Sequence, residues 1–123
     1  MTDRTEPTSS EKTFMEALLG EFAPKFVSVT DDVVYGDIWT RPELSPRDRS
    51  LITIAAFVAG GNGADLEGYL AFAKANGVTE TEIKETILQM AFYAGWPKAV
   101  TAMNLAKRVF ASQDAHQQQK EQQ

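Results

Sequence analysis

Between residues 10 and 112 the apolar positions recur at three- and four-residue spacing, with no sustained alternation of the strand type, so the chain reads as helical throughout. A first helix is predicted from near Thr8, where Thr8 and Glu11 stand at capping-box spacing, and it should bury Phe14, Leu18 and Phe22 before Pro24 interrupts it. A second helical region follows over Phe26 to Trp39, carrying Phe26, Val33, Val34, Ile38 and Trp39, although its Val and Thr content weakens the intrinsic preference. Thr40 to Leu44 is a connector. Ser45-Pro46 then supplies an N-cap with proline at the first helical position and opens a helix through Leu51, Ile52, Ile54, Ala55 and Val58. Apolar groups cover nearly all its faces, which predicts a central place in the fold.

Gly60-Gly61-Asn62-Gly63 stops that helix, because three glycines in four positions cannot favour its continuation. Asn62 is the predicted N-cap of the next helix, with Asp65 three residues on, and that helix runs to about Asn76 with Gly77 as its terminal glycine. Thr79 and Glu82 form a second capping box, opening a helix through Ile83, Ile87, Met90, Ala91 and Ala94 that ends at Gly95-Trp96-Pro97. A last helix, Lys98 to about Ala111, places Val100, Met103, Ala106 and Phe110 along one stripe. The fold class expected is all-α, about six helices with short connections.

At 123 residues the chain fits one domain, expected over residues 10–112 between a flexible segment, 1–9, and a disordered Gln-rich tail, 113–123. With 43% hydrophobic residues it can supply a core. Twelve Lys and Arg against 17 Asp and Glu leave a net charge of −5, which repels a phosphate backbone and gains little from anionic lipid, so neither nucleic acid nor membrane is expected as partner. The longest apolar stretch, Leu51 to Ala59, is about half what a bilayer span needs. The first twelve residues have no apolar core of the secretory type, so a cytoplasmic protein is the expectation. There is no cysteine and one histidine, His116. That excludes disulfides, thiol redox chemistry and a His/Cys metal site within one protomer; neither metal nor cofactor is expected.

Candidate chemistry gathers near the glycine break. Asp65 and Tyr69 are four residues apart and project from one helix face; Arg49 opens the preceding helix. A cation, a carboxylate and a phenol are the parts needed to hold an anionic substrate and move a proton. Antiparallel packing would, however, hold Arg49 about 15–20 Å from the start of the next helix, so it reaches such a cavity across a subunit boundary or through a bend. Each residue also has a structural reading: Asp65 as a helix-start carboxylate, Tyr69 as a core aromatic, Arg49 as a surface ion-pair partner of Asp48 or Glu85. Tyr93-Ala94-Gly95-Trp96-Pro97 sets aromatics about a small hinge, which can line an apolar pocket or fill an interface.

Leu44-Ser45-Pro46-Arg47-Asp48-Arg49-Ser50-Leu51-Ile52-Thr53-Ile54-Ala55, then Asn76-Gly77-Val78-Thr79 with Glu82-Ile83, then Tyr93-Ala94-Gly95-Trp96-Pro97-Lys98-Ala99, resembles the carboxymuconolactone decarboxylase family of the alkylhydroperoxidase D-like superfamily. The likeness covers roughly residues 30–110. It implies a helical protomer that self-associates into trimers or hexamers, with sites near subunit boundaries. It also implies one of two chemistries, decarboxylation of a lactone acid or peroxide reduction by a Cys-x-x-Cys pair. On these motifs the two cysteine positions fall on Asn62 and Asp65, the histidine on Tyr69 and the upstream glutamate on Ser50. The peroxide route is therefore disfavoured.

The function expected is decarboxylation or proton transfer on a small organic acid or lactone. Asp65 would serve as base or polar anchor, Tyr69 as hydrogen-bond donor and Arg49 as carboxylate binder, with Asn62, Tyr93 and Trp96 binding substrate. The alternative is a non-catalytic oligomeric scaffold of the same fold.

Overall fold

The computed structural model describes the backbone of residues 12–121 and the side chains of residues 12–111. Six α-helices account for most of the described residues, and no strand occurs among them. They are α1 (Phe14–Leu19), α2 (Pro24–Val29), α3 (Pro46–Gly60), α4 (Gly63–Ala75), α5 (Glu80–Ala94) and α6 (Trp96–Glu121). The chain divides at Glu43/Leu44 into two compact units.

In the first unit α2 begins with Pro24, which suits a first helical turn because its missing N–H is not needed there. It runs on through a π-helical turn, Thr30–Tyr35, and a 3₁₀ turn, Ile38–Thr40. That irregular winding over Val- and Thr-rich sequence is where helix propensity is weakest. The start of the first helix needs correction. Thr8 and Glu11 lie outside the described residues, and α1 starts at Phe14, where Thr13 Oγ1 accepts the Glu16 N–H at 3.0 Å. Nor are Phe14, Leu18 and Phe22 buried; they stand 77%, 61% and 88% exposed. The apolar stripe is present, but α1 is only six residues long and within its unit packs against α2.

The second unit is a packed set of four helices, in which α3 touches α4, α5 and α6, in keeping with its all-round apolar surface. Its core contains Ile54, Val58, Leu66, Leu70, Ile83 and Ile87, each 2% exposed or less. On α6 the core side runs from Ala99, Ala102 and Ala106, whose small side chains let helices approach closely, to Val109 and Phe110, whereas Val100 and Met103 of the predicted stripe are exposed.

Helix ends define the connections. Gly61 adopts φ 70°, ψ 27°, the left-handed region that a Cβ disfavours. Its N–H donates to Val58 O at 3.2 Å and the Asn62 N–H to Phe57 O at 3.0 Å, the paired bonds of a Schellman motif. Gly77, at φ 97°, repeats the device: its N–H donates to Lys74 O and the N–H of buried Val78 to Ala73 O. The predicted cap at Ser45 forms, its Oγ accepting the Asp48 N–H at 3.0 Å. So does the capping box, Thr79 Oγ1 accepting from the Glu82 N–H and Glu82 Oε1 from the Thr79 N–H.

One end of this unit is tied by polar groups. The buried Ser50 hydroxyl donates to Pro46 O at 2.8 Å and accepts from Asn76 Nδ2 at 2.9 Å, joining the start of α3 to the end of α4. The Arg47 guanidinium donates to Glu82 Oε2, joining α3 to the start of α5. The opposite end is held by the Lys98 ammonium, which donates to Ala59 O at 2.9 Å. Beyond its expected stop near Ala111, the backbone of α6 continues to Glu121; Gln, Ala and Lys are good helix formers, and adding residues to a helix already nucleated is cheap.

Folding lowers the Glu82 pKa below its ordinary 4.5, chiefly through the Thr79 backbone N–H; loss of some hydration opposes the shift and the Arg47 charge adds to it. Because the folded value is depressed, the resulting stability is whole above about pH 4.5 and is lost as the pH falls through the folded value. In urea titrations, Glu82→Gln is therefore expected to be less stable than wild type at pH 7, with the gap closing as the pH falls below about 4.5. A gap independent of pH would remove Glu82 from the acid sensitivity of the fold.

Candidate functional site

The two-residue reversal at Gly61-Asn62 leaves a cleft where the end of α3 and the start of α4 meet the first turns of α6. Its volume is about 210 Å³. The apolar floor comes from Phe57 and Val58 of α3, Leu66 of α4 and Ala102 of α6. The polar rim is Asn62, Lys98 and Thr101. Lys98 is the only charged side chain in this lining, and one of its three ammonium hydrogens is committed to Ala59 O. Thr101 donates its hydroxyl to Pro97 O at 3.3 Å, one turn back on α6.

Asn62 takes its expected position before α4, but its side chain makes no capping hydrogen bond. Its Oδ1 folds back so closely on Gly60 that a Cβ there would lie 2.3 Å away. The amide is thereby turned away from the job that would hold it for structural reasons alone.

Asp65 occupies the first turn of α4 and is exposed, and Tyr69 follows one turn later, half-buried. The Tyr69 ring lies 4.8 Å from Phe57 and 6.2 Å from Phe72, centroid to centroid, so it does serve as a packing aromatic. Phe57 is common to this ring cluster and to the cleft floor. Arg49 is half-buried with its Nε enclosed, and it sits at the other end of α4, since neighbouring Ser50 bonds Asn76. At 1.5 Å per residue that end is roughly 16 Å from Asp65 along the helix. Tyr93 and Trp96 flank the Gly95 turn, which has φ 110°, and are 78% and 57% exposed; Trp96 packs edge-on to Phe92 at 6.0 Å. One chain therefore places Asp65 and Tyr69 on one helix, Asn62 in the cleft, and Arg49 apart from all three.

Lys98 and Thr101 were missed from sequence, although Lys98 closes the Gly95-Trp96-Pro97-Lys98 motif. A wider groove of about 440 Å³ runs between the first half of α5 and α6, past Glu80, Lys84, Lys107 and Phe110. None of the expected residues lines it, and Lys84 is paired with Glu80 at 2.7 Å. The smaller cleft is the better candidate on chemistry, although Asn62 is the one expected residue in its lining and Asp65, Tyr69, Tyr93 and Trp96 lie outside it. Among the described residues no three His, Cys, Asp or Glu side chains cluster to hold a metal ion, and no helix is long and apolar enough to cross a membrane.

Comparison with known proteins adds a family. The model of the carboxymuconolactone decarboxylase family matches residues 24–108. The chain is 39% identical over 92 residues to a 4-carboxymuconolactone decarboxylase of Acinetobacter baylyi, covering 75% of this chain and 69% of that protein. It is 35% identical over 74 residues to a nitrosuccinic acid decarboxylase of Metarhizium robertsii, covering 60% and 52%. An uncharacterized 15.0 kDa protein of Paracoccus denitrificans is 35% identical over 82 residues, covering 65% and 61%. The chain thus spans between about half and two-thirds of the length of these relatives.

Because the Asn62 side chain makes no capping bond, Asn62→Ala is expected to change folding stability by less than about 0.5 kcal/mol. Ser45→Ala, which removes a formed cap, should cost about 1 kcal/mol. Chemical denaturation of both variants checks the contrast, and equal losses would mean that Asn62 is held by the fold after all.

Proposed function

This chain belongs to the carboxymuconolactone decarboxylase family, and on that premise we propose that it decarboxylates, or moves a proton on, a small organic acid or lactone bound at the α3–α4 turn. The observation that carries the reading is the polar-rimmed, apolar-floored cleft, in a chain whose relatives include two decarboxylases of small acids. The names of their substrates share a logic. Each is a carboxylic acid that also bears an electron-accepting group, a lactone or a nitro group.

Decarboxylation breaks the bond to the carboxylate carbon, releases carbon dioxide and leaves an electron pair on the remaining carbon. A neighbouring acceptor takes that charge on oxygen, and a proton later closes the valence. In this reading Tyr69 donates a hydrogen bond to the oxygen that gains charge, which lowers the barrier only if the donor is already in place. Asp65, in the first turn of α4, serves as base or polar anchor. Asn62, Tyr93 and Trp96 contact the substrate body. Arg49 binds a carboxylate from a neighbouring protomer, because its own chain holds it at the far end of α4.

Self-association as a trimer or hexamer belongs to the same proposal. It is supported by large apolar side chains left exposed, among them Phe14, Phe22, Phe92 and Trp96. Sedimentation of the purified chain is expected to return a mass several times that of the protomer; a monomer at micromolar concentration would leave Arg49 no route to the site.

Incubation with 4-carboxymuconolactone and with nitrosuccinate, followed by carbon dioxide release, tests the reaction. Asp65→Asn is expected to slow it by about 100-fold and Tyr69→Phe by about tenfold, within the range of general acid–base effects. Unchanged rates in both variants would remove these residues from the mechanism.

A further inference from the structure

We propose that Lys98 is the carboxylate-recognising group that this chain itself supplies to the cleft, beside the Arg49 of a neighbouring protomer, and that the preferred ligand is a small acid with an apolar body and at least one ionised carboxylate. Three observations converge on it. Lys98 is the single charge in the lining, and no acidic side chain there neutralises it. Among the described residues it makes no ion pair, unlike Arg41, Arg47, Lys84 and Arg108. Its ammonium, on an exposed side chain, donates to Ala59 O at 2.9 Å, which restrains the stem while two N–H donors remain. Ordering a long side chain before binding removes an entropic cost that would otherwise fall on the complex.

The rest of the cleft fits the same class of ligand. Asn62 and Thr101 offer neutral hydrogen-bonding groups beside the cation, and Phe57, Leu66 and Ala102 offer a surface for carbon. A volume of about 210 Å³ lies below that of sites for drug-sized ligands, which suits a compact acid. The carboxylate would take the two remaining N–H groups, a charge-assisted pair roughly twice as strong as a neutral hydrogen bond. Lys98 would act here as a binding residue. The bond to Ala59 O also gives it a structural part, satisfying a carbonyl at the end of α3, and the test must separate the two.

For its natural substrate the inference rests on the decarboxylase reading; for binding it stands alone. The full chain is titrated with succinate and with succinamide, its uncharged analogue, at fixed ionic strength, following amide resonances of Gly63, Lys98 and Thr101. Succinate is expected to shift them saturably and succinamide to do so at least tenfold more weakly. Lys98→Met should weaken succinate binding at least tenfold, with Lys98→Arg within about threefold of wild type. If Lys98→Met binds succinate as wild type does, or wild type does not distinguish succinate from succinamide, the proposal is overturned. A lower melting temperature for Lys98→Met with unchanged succinate affinity assigns the residue to the α3 end alone, and equally overturns it. In the turnover assay Lys98→Met is expected to raise KM for 4-carboxymuconolactone at least tenfold with kcat changed less. Absence of turnover in wild type, with Lys98-dependent succinate binding intact, would sink the decarboxylase reading and leave this site standing.

Discussion

The arrangement of the helical unit depends on where α3 stops. Gly61 takes a left-handed conformation that costs any residue with a Cβ roughly 1–2 kcal/mol. The two Schellman bonds then satisfy the carbonyls of Phe57 and Val58, so the helix can end in two residues without leaving those groups bare. A reversal this short folds α4 back on α3. That one constraint brings Phe57 onto Tyr69, sets Leu66 beside Val58 in the core and opens the cleft at the tip. It also carries Arg49 away from Asp65, since antiparallel neighbours that share a turn have their starting residues at opposite ends.

The two ends of the unit are built differently. At the Arg49 end the polar groups are spent on each other: Ser50 on Asn76 and Pro46, Arg47 on Glu82 and Asp48, Thr79 on Glu82. At the cleft end they are spent only in part. Asn62 caps nothing, and Lys98 uses one donor of three. Polar side chains left incompletely used are what a binding site requires, because a ligand then completes hydrogen bonds rather than breaking them.

The elements that were legible in the sequence are those whose signals are local. Ser45-Pro46, Thr79 with Glu82, and Gly77 each act within four residues of themselves, and the structure contains all three devices as expected. Periodicity also located α3, α4 and α5 to within a residue or two. It misled at Phe14, Leu18 and Phe22, because an apolar stripe says that a face wants covering and not what covers it. Asn62 shows a subtler miss: the position was right and the capping bond is absent, since a competing local geometry turns its amide toward Gly60. Lys98 and Thr101 were out of reach for a different reason. They meet Phe57 and Asn62 only because α6 crosses the α3–α4 turn, some forty residues away along the chain.

The small buried side chains of α6 have a reach that their size conceals. Ala99 and Ala106 are not part of the cleft lining, yet together with Ala102 they set how near α6 lies to its neighbours. Exchange of either for a bulkier residue would lever the whole rod outward and carry Lys98 and Thr101 with it, widening the gap to Phe57. Divergence at such remote seams can retune which acid is accepted while every residue of the lining stays the same. A survey of descendants that compared linings alone would record no change.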